Sequence, residues 1–255
     1  MADNVLDIIL HGCNGQMGRT VTELLAAEPT VRIVAGIDPH DTIANTYPVY
    51  PQISAYQGQA DVVIDISIAA AVSGLLDYCS ERKVPCVLCT TGLSQADEEK
   101  LLVAAESTAI LRSANMSLGI NLLLKMVKEA AKTLAPAGFD IEIVEKHHRL
   151  KVDAPSGTAL ALATAINDEL AGEYDFCFDR SKERKRRETK EIGFACVRGG
   201  TIVGEHDVIF AGLDEVITFS HAAHAKSIFA KGAVAAAKFL YGKPAGLYSM
   251  ADVIN

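Results

Sequence analysis

Positive charge, patterned cysteine and long apolar runs are all scarce in these 255 residues, and each shortage removes a class of function. Lysine and arginine number 24 against 32 aspartates and glutamates, a net charge of −8. A polyanion such as nucleic acid is therefore not expected as the main partner, because it needs an extended basic surface. A small anion needs only a local positive site and stays open. No stretch approaches the roughly 18 consecutive apolar residues of a membrane span. The opening MADNVLDIIL has no basic segment ahead of its apolar run, so no secretory leader and no membrane are expected. The six cysteines (13, 79, 86, 89, 177 and 196) follow no framework spacing, which suits reduced thiols in the cytoplasm. Internal repeats and low-complexity tracts are also missing.

One cysteine pair needs its own reading. Cys86 and Cys89 form a C-x-x-C inside the apolar run VPCVLCTT, which reads as a strand. Residues three apart on a strand point to opposite faces, so no metal and no disulfide is expected there.

What is present is a core. Hydrophobic residues make up 49% and charged residues 22%, an ordinary balance for a globular protein. Up to about residue 115, apolar runs alternate with helical patterns. Strands are expected at 5–10, 31–38, 60–67, 84–91 and 109–115, with helices up to about Ala27, over 69–83, and over 94–107 behind a serine N-cap. The runs are nearly continuous rather than alternating, as in strands covered by helices on both faces. That is an α/β, doubly wound parallel sheet. Beyond Asn115 the pattern changes to a helix over 120–134, a strand over 140–146 and a helix over 157–171. Strands with antiparallel character follow at 191–197, 201–211 and 215–223. Gly199-Gly200 suggests a hairpin between the first two of these. A second, smaller α+β domain is expected, with a last helix over 226–241. The stretch DRSKERKRRETKE (179–191) holds seven basic residues among acids and reads as a solvated loop.

Two constellations carry chemistry. The first is H-G-C-N-G-Q-M-G, residues 11–18, between the first strand and the first helix. Gly12, Gly15 and Gly18 let the backbone turn tightly and approach a diphosphate, and the helix start favours the anion. Asp38 closes the second strand twenty residues past Gly18, where a carboxylate can accept from ribose hydroxyls. Together these predict a dinucleotide site. Pro39-His40-Asp41 offers no Arg or Lys for a 2′-phosphate, which leans the reading towards NADH, with NADPH open through His40 or a distant basic residue.

The second is EKHHRLKVDAPSGTAL, residues 145–160. His147 and His148 follow a strand on opposite sides, and histidine is the side chain best placed to give up a proton near neutral pH. Lys151 adds a fixed charge or a proton. Ser156, Gly157 and Thr158 open a helix, and their amides and hydroxyls make a carboxylate site.

This stretch closely resembles the signature of the 4-hydroxy-tetrahydrodipicolinate (dihydrodipicolinate) reductases of the diaminopimelate–lysine pathway. The resemblance runs the whole length, through G-x-x-G-x-M-G, C-T-T-G at 89–92, S-A-N-M at 113–116 and G-x-I-V-G-E-H at 200–206. It implies a homotetramer with a Rossmann-type dinucleotide domain (1–117 and 224–255) and a substrate-binding and tetramerisation domain (118–223). By that likeness Gly12, Cys13, Asn14, Gly15, Gln16 and Met17 cradle NADH or NADPH and Asp38 holds the adenosine ribose. Cys89, Thr90, Thr91, Ser113, Ala114, Asn115 and Met116 line the nicotinamide end. His147 is the implied proton donor, His148 a substrate ligand, and Lys151 a second proton-handling or charge-stabilising group. Gly157 and Thr158 grip a carboxylate. Three positions depart from the resemblance: Cys89 where glycine is commoner, Met116 where an aromatic is, and Pro39 where a basic residue is.

The implied reaction is reduction of a small cyclic imine dicarboxylate, with hydride from the nicotinamide and a proton from His147. Two other classes stay open on the residues alone. One is an NAD(P)-dependent reductase of another imino or keto acid, and the other a non-catalytic dinucleotide sensor.

Overall fold

The computed structural model describes residues 5–40, 43–182 and 184–255. Outside the described residues lie 1–4, on which the expectation of no leader rests, 41–42, which take in Asp41, and Glu183 of the basic stretch. The chain divides into two compact units, residues 1–118 with 226–255, and residues 119–225. No helix among the described residues is long and apolar enough to cross a membrane.

The first unit is built on seven parallel strands. These are β1 (Leu6–His11), β2 (Val31–Ile37), β3 (Val49–Tyr50), β4 (Val62–Asp65), β5 (Cys86–Leu88), β6 (Ala109–Arg112) and, from the far end of the chain, β12 (Gly246–Tyr248). Their order is β12-β6-β5-β4-β1-β2-β3. The apolar runs explain the layers, because successive side chains go to opposite faces. On one face Ile8, Leu10, Ile64 and Leu111 meet Val21 of α1 (Gln16–Leu25) and Ala233 and Leu240 of α6 (Ser227–Leu240). On the other, Ile9, Val63, Leu88 and Ile110 meet Leu75 and Leu76 of α2 (Ala69–Arg82) and Leu101 of α3 (Gln95–Ala105). Each such fully buried aliphatic side chain stabilises the fold by about 1.5–3 kcal/mol. Ser94 caps α3 and, with Asp97, completes a capping box. The strand order reverses between β4 and β1, so the Gly12 turn and the Ile66–Ser67 segment lie at the topological switch point, where ligands of such sheets bind.

Cys86 is buried in the α2–α3 layer while Cys89 packs against the α1–α6 layer, so the C-x-x-C is split across the sheet. The strand is shorter than expected: it ends at Leu88, and Cys89 to Leu93 form a loop.

The second unit holds a five-stranded mixed sheet, order β11-β10-β7-β9-β8. Its strands are β7 (Asp140–His147), β8 (Asp175–Cys177), β9 (Glu191–Arg198), β10 (Gly204–Ala211) and β11 (Val216–Ala223). Two helices, α4 (Leu118–Leu134) and α5 (Gly157–Glu169), cover its inner face through Ile120, Val127, Leu162 and Ile166, packed on Ile141, Ile143, Val208 and Phe210.

The sheet corrects one expectation. Gly199-Gly200 does not turn a hairpin, because β9 runs parallel to β7 and β10 pairs with the other side of β7. The five residues 199–203 carry the chain over the end of β7. The amide of Gly199 donates to the His147 carbonyl (2.9 Å), and Gly200 takes a left-handed φ of 49°. The antiparallel hairpin is β10–β11 instead. In the basic stretch, exposed Arg180 and half-buried Arg187 are also tied down by ion pairs, with Glu142 and Glu191, and with Asp140 and Glu142, respectively.

Candidate active site

Two sites are built, one in each unit. In the first unit β1 ends at His11 and the chain turns at once. Gly12 adopts φ 84°, and a Cβ there would lie 2.8 Å from the Ile66 carbonyl oxygen. A Cβ on Gly18 would lie 2.3 Å from the Gly12 oxygen, so both glycines are required by close backbone approach. Gly15 differs: its Cβ would meet only the Gly12 oxygen, at 3.4 Å. It is the N-cap of α1 and offers no side-chain acceptor, which leaves the first amides of the helix for an external anion.

The side chains of this turn mostly face the protein. Cys13 is buried in the core. Asn14 donates to the His40 carbonyl (2.5 Å) and accepts from Asn45 (2.9 Å). Gln16 accepts from Lys226 Nζ (3.0 Å), a cation the motif gives no hint of because it stands 210 residues away. Asp38, just past β2, accepts the Asn14 amide (3.1 Å) and the His40 amide (3.0 Å), which fixes its carboxylate beside the glycine turn.

Next to the turn lies a cleft of about 350 Å³. It gathers Met17, Cys89, Thr90, Thr91, Ser113, Ala114, Asn115 and Met116 with Ile66, Ser67 and Phe229, the last three unsignalled by the sequence motifs. Thr90 Oγ1 is buried there without a hydrogen-bond partner. Burial, then the nearby Asp65 carboxylate, pushes the Cys89 thiol up, so it stays neutral. A glycine turn that a Cβ would fill, an uncapped helix start, a carboxylate at the end of β2 and an orphaned hydroxyl in an adjoining cleft together fit a dinucleotide.

In the second unit the candidate side chains on β7 and β10 share the inner face of the sheet. Residues 145 and 147 project to the same side of β7. Glu145 is 0% exposed and His147 8%. His147 Nδ1 lies 2.5 Å from Glu145 Oε2. Arg198, on the neighbouring β9, grips both carboxylate oxygens at 2.6 and 2.7 Å, and the Ser156 amide donates to Oε1 at 3.2 Å. Burial alone would raise the Glu145 carboxyl, but the Arg198 and His147 bonds outweigh it and bring it to about 2. From β10, the His206 ring meets His147 edge-on, centroids 5.1 Å apart. Burial, helped by neighbouring His147, lowers His206 to about 4, so this ring is neutral at pH 7.

His148 follows on the other side, with Nδ1 buried and unpartnered. Lys151 pairs with Asp153 at 2.8 Å. Ser156 is the N-cap of α5: its hydroxyl accepts the Ala159 amide (3.1 Å) and lies 2.9 Å from His206 Nε2. That hydroxyl is therefore committed within the protein, while Gly157 and Thr158 form the first turn of the helix. Glu145, Arg198 and His206 are the polar residues that sequence reasoning passed over. Glu145 and His206 stand inside quoted motifs, but nothing in their spacing shows that β7, β9 and β10 become neighbours.

Comparison with known proteins agrees with this architecture. The family models described as dihydrodipicolinate reductase, N-terminus and C-terminus, match residues 6–116 and 119–254. The chain is 50% identical over 251 residues to a 4-hydroxy-tetrahydrodipicolinate reductase of Caldanaerobacter subterraneus subsp. tengcongensis, covering 98% of this chain and 99% of that one. With the enzyme of that name from Clostridium tetani it shares 44% over 97% and 96% of the two chains. Among solved structures, the dipicolinate-bound dihydrodipicolinate reductase of Paenisporosarcina sp. TG-14 superposes with a TM-score of 0.83 at 20% identity, over 98% of this chain and 100% of that one. That likeness speaks for the fold.

Proposed function

This chain belongs to the dihydrodipicolinate reductase family, and from that premise we propose that it reduces 4-hydroxy-tetrahydrodipicolinate to tetrahydrodipicolinate with a nicotinamide dinucleotide, in the diaminopimelate route to lysine. The observation that carries the reading within the site is His147, held on an ionised, buried carboxylate in the unit that also bears Lys151 and the start of α5.

A bound nicotinamide dinucleotide supplies the hydride. The protein's part is to hold, orient and protonate. The turn Gly12–Met17 with the start of α1 takes the diphosphate, Asp38 the adenosine ribose, and the cleft from Cys89–Thr91 and Ser113–Met116 the nicotinamide end. Reduction leaves negative charge on the substrate ring, and His147 gives its proton to that ring. Lys151, His148 and the amides of Gly157 and Thr158 at the start of α5 balance the substrate's two carboxylates, taking them in place of the Asp153 carboxylate that Lys151 and the Gly157 amide hold in this structure, which is how an acidic protein holds an acidic ligand. Ser156 contributes by capping the helix that presents those amides.

Within the NAD(P)H class the reading is NADH over NADPH. The Asp38 carboxylate, fixed by two backbone amides, would repel a 2′-phosphate, and Pro39 supplies no countercharge. A coupled assay, in which a synthase makes the substrate and the loss of reduced nicotinamide is followed, tests function and preference together. Turnover is expected with both cofactors, with kcat/KM for NADH at least about tenfold higher, a difference of about 1.4 kcal/mol. Dinucleotide binding without turnover would overturn the assignment in favour of a sensor.

The proposal includes a cytoplasmic homotetramer. The outer face of the five-stranded sheet sets Val144, Val197, Ile209 and Val216, with Val197 45% and Val216 62% exposed, among the ion-paired Glu142, Lys146, Glu205 and Asp207, a mixed surface of the kind that subunit interfaces use. Light scattering should give about four times the 27.2 kDa chain mass; a monomer mass would remove this part of the proposal.

A further inference from the structure

We propose that Glu145, clamped by Arg198, is a positioning residue that keeps His147 protonated on Nδ1, so that Nε2 is the atom that delivers the proton. The inference rests on the reading of His147 as the acid and adds to it which nitrogen acts and what fixes it.

A buried carboxylate must be satisfied by donors, and Glu145 has four: the Arg198 guanidinium on both oxygens, the Ser156 amide on Oε1, His147 Nδ1 on Oε2, and the Cys196 thiol. Facing an arginine it is ionised and can only accept. The ring nitrogen 2.5 Å away must therefore carry the hydrogen, which leaves Nε2 as the exchangeable position: it takes a second proton from solvent, the imidazolium gives that proton to the substrate ring, and the neutral ring protonated on Nδ1 is restored. Arg198 is itself held, donating to the carbonyls of Val197 (2.8 Å) and Asp153 (2.5 Å), so the clamp does not depend on His147.

Gly204 supports the same conclusion independently. Its φ is not in the left-handed region, so the turn does not ask for glycine there. A Cβ at this position would lie 3.1 Å from His147 Nε2. The absence of a side chain is what keeps the Nε2 side of the ring open.

The other titratable and charged groups around this pair are Cys196 and Arg198 on β9 and His206 on β10, with His221 on β11 and Lys151 beyond His206 and Asp153 beyond Arg198. His206 is neutral and engaged with Ser156, and Cys196 is raised to about 11 by burial and then by Glu145. Neither supplies a competing negative charge. The bland alternative is that Arg198 and Glu145 merely tie β9 to β7.

The two readings separate on the intact enzyme. Heteronuclear NMR of isotope-labelled histidine, with His147 assigned by its loss in His147→Gln, should show the neutral ring protonated on Nδ1. A ring protonated on Nε2 overturns the proposal, and this measurement needs no Glu145 variant to fold. For Glu145→Gln, kcat should fall by about 10–100-fold, part of the roughly 10²–10⁴ that a positioned acid supplies. KM should stay within roughly threefold, and the alkaline limb of kcat should move to lower pH as the countercharge is removed. The double variant Glu145→Gln/His147→Gln should be no slower than His147→Gln. A lower kcat with an unmoved limb would make Glu145 a strand tie only and overturn the proposal. Wild-type kcat in His147→Gln would instead sink the reading of His147 as the acid, whatever the NMR shows of its tautomer.

Discussion

Replacing His147 with glutamine is expected to lower kcat by about 10²–10⁴-fold, the contribution of a positioned general acid. Glutamine keeps a hydrogen-bonding group at the end of β7 and can still meet Glu145, so the buried carboxylate is not stranded and the fold should survive. What it cannot do is release a proton near neutral pH. The residues proposed to hold the dinucleotide all lie in the other compact unit, so the Kd for the cofactor, read by fluorescence of the reduced nicotinamide, should be unchanged. The combination decides the matter. A large loss of kcat with normal cofactor binding supports His147 as the acid. A loss of cofactor affinity as well would point to general disruption, and an unchanged kcat would mean that the proton comes from elsewhere, with Lys151 the first alternative to examine.

The parts of this molecule that were legible in the sequence are those written in local code. β1, β2, β4 and β6 announce themselves as apolar runs because both faces are buried, and α5 because Ser-Gly-Thr sets its first turn. The glycine turn was legible because close approaches of backbone at Gly12 and Gly18 exclude a side chain, and Gly15, the N-cap of α1, stands between them at the motif's spacing. The illegible parts depend on which strands become neighbours. A five-residue link with two glycines reads the same whether it joins adjacent strands or steps over one between them, and here it steps over β7. Hence the histidine motif could be found, while its clamp from β9 and its neighbour from β10 could not. The strands β3, β8 and β12, of two or three residues each, are too short to carry a period.

The glycine turn also yields a prediction in which three similar residues part company. In Gly12→Ala the new Cβ would stand 2.8 Å from a carbonyl oxygen in a backbone held at φ 84°. In Gly18→Ala it would stand 2.3 Å from the Gly12 oxygen. Neither neighbour is a side chain that can swing away, so the start of α1 must shift, at a cost of about 1–3 kcal/mol or more in stability. Both variants should show a lowered Tm and weak cofactor binding. Gly15→Ala meets nothing nearer than 3.4 Å. Alanine is a poorer N-cap than glycine, so its stability loss should be no more than about 1 kcal/mol. Its Kd for the dinucleotide should nevertheless rise as much as in the other two, because the methyl group enters the space left for the diphosphate. Thermal melts beside cofactor titrations read both quantities. If Gly15→Ala bound the dinucleotide normally, the anion would have to sit elsewhere than at the start of α1. If Gly12→Ala were as stable as the parent, the close approach to Ile66 would not be what selects glycine there. On the proposed reading the motif G-x-x-G-x-x-G thus combines two demands, with its outer glycines serving the turn and its middle one serving the ligand.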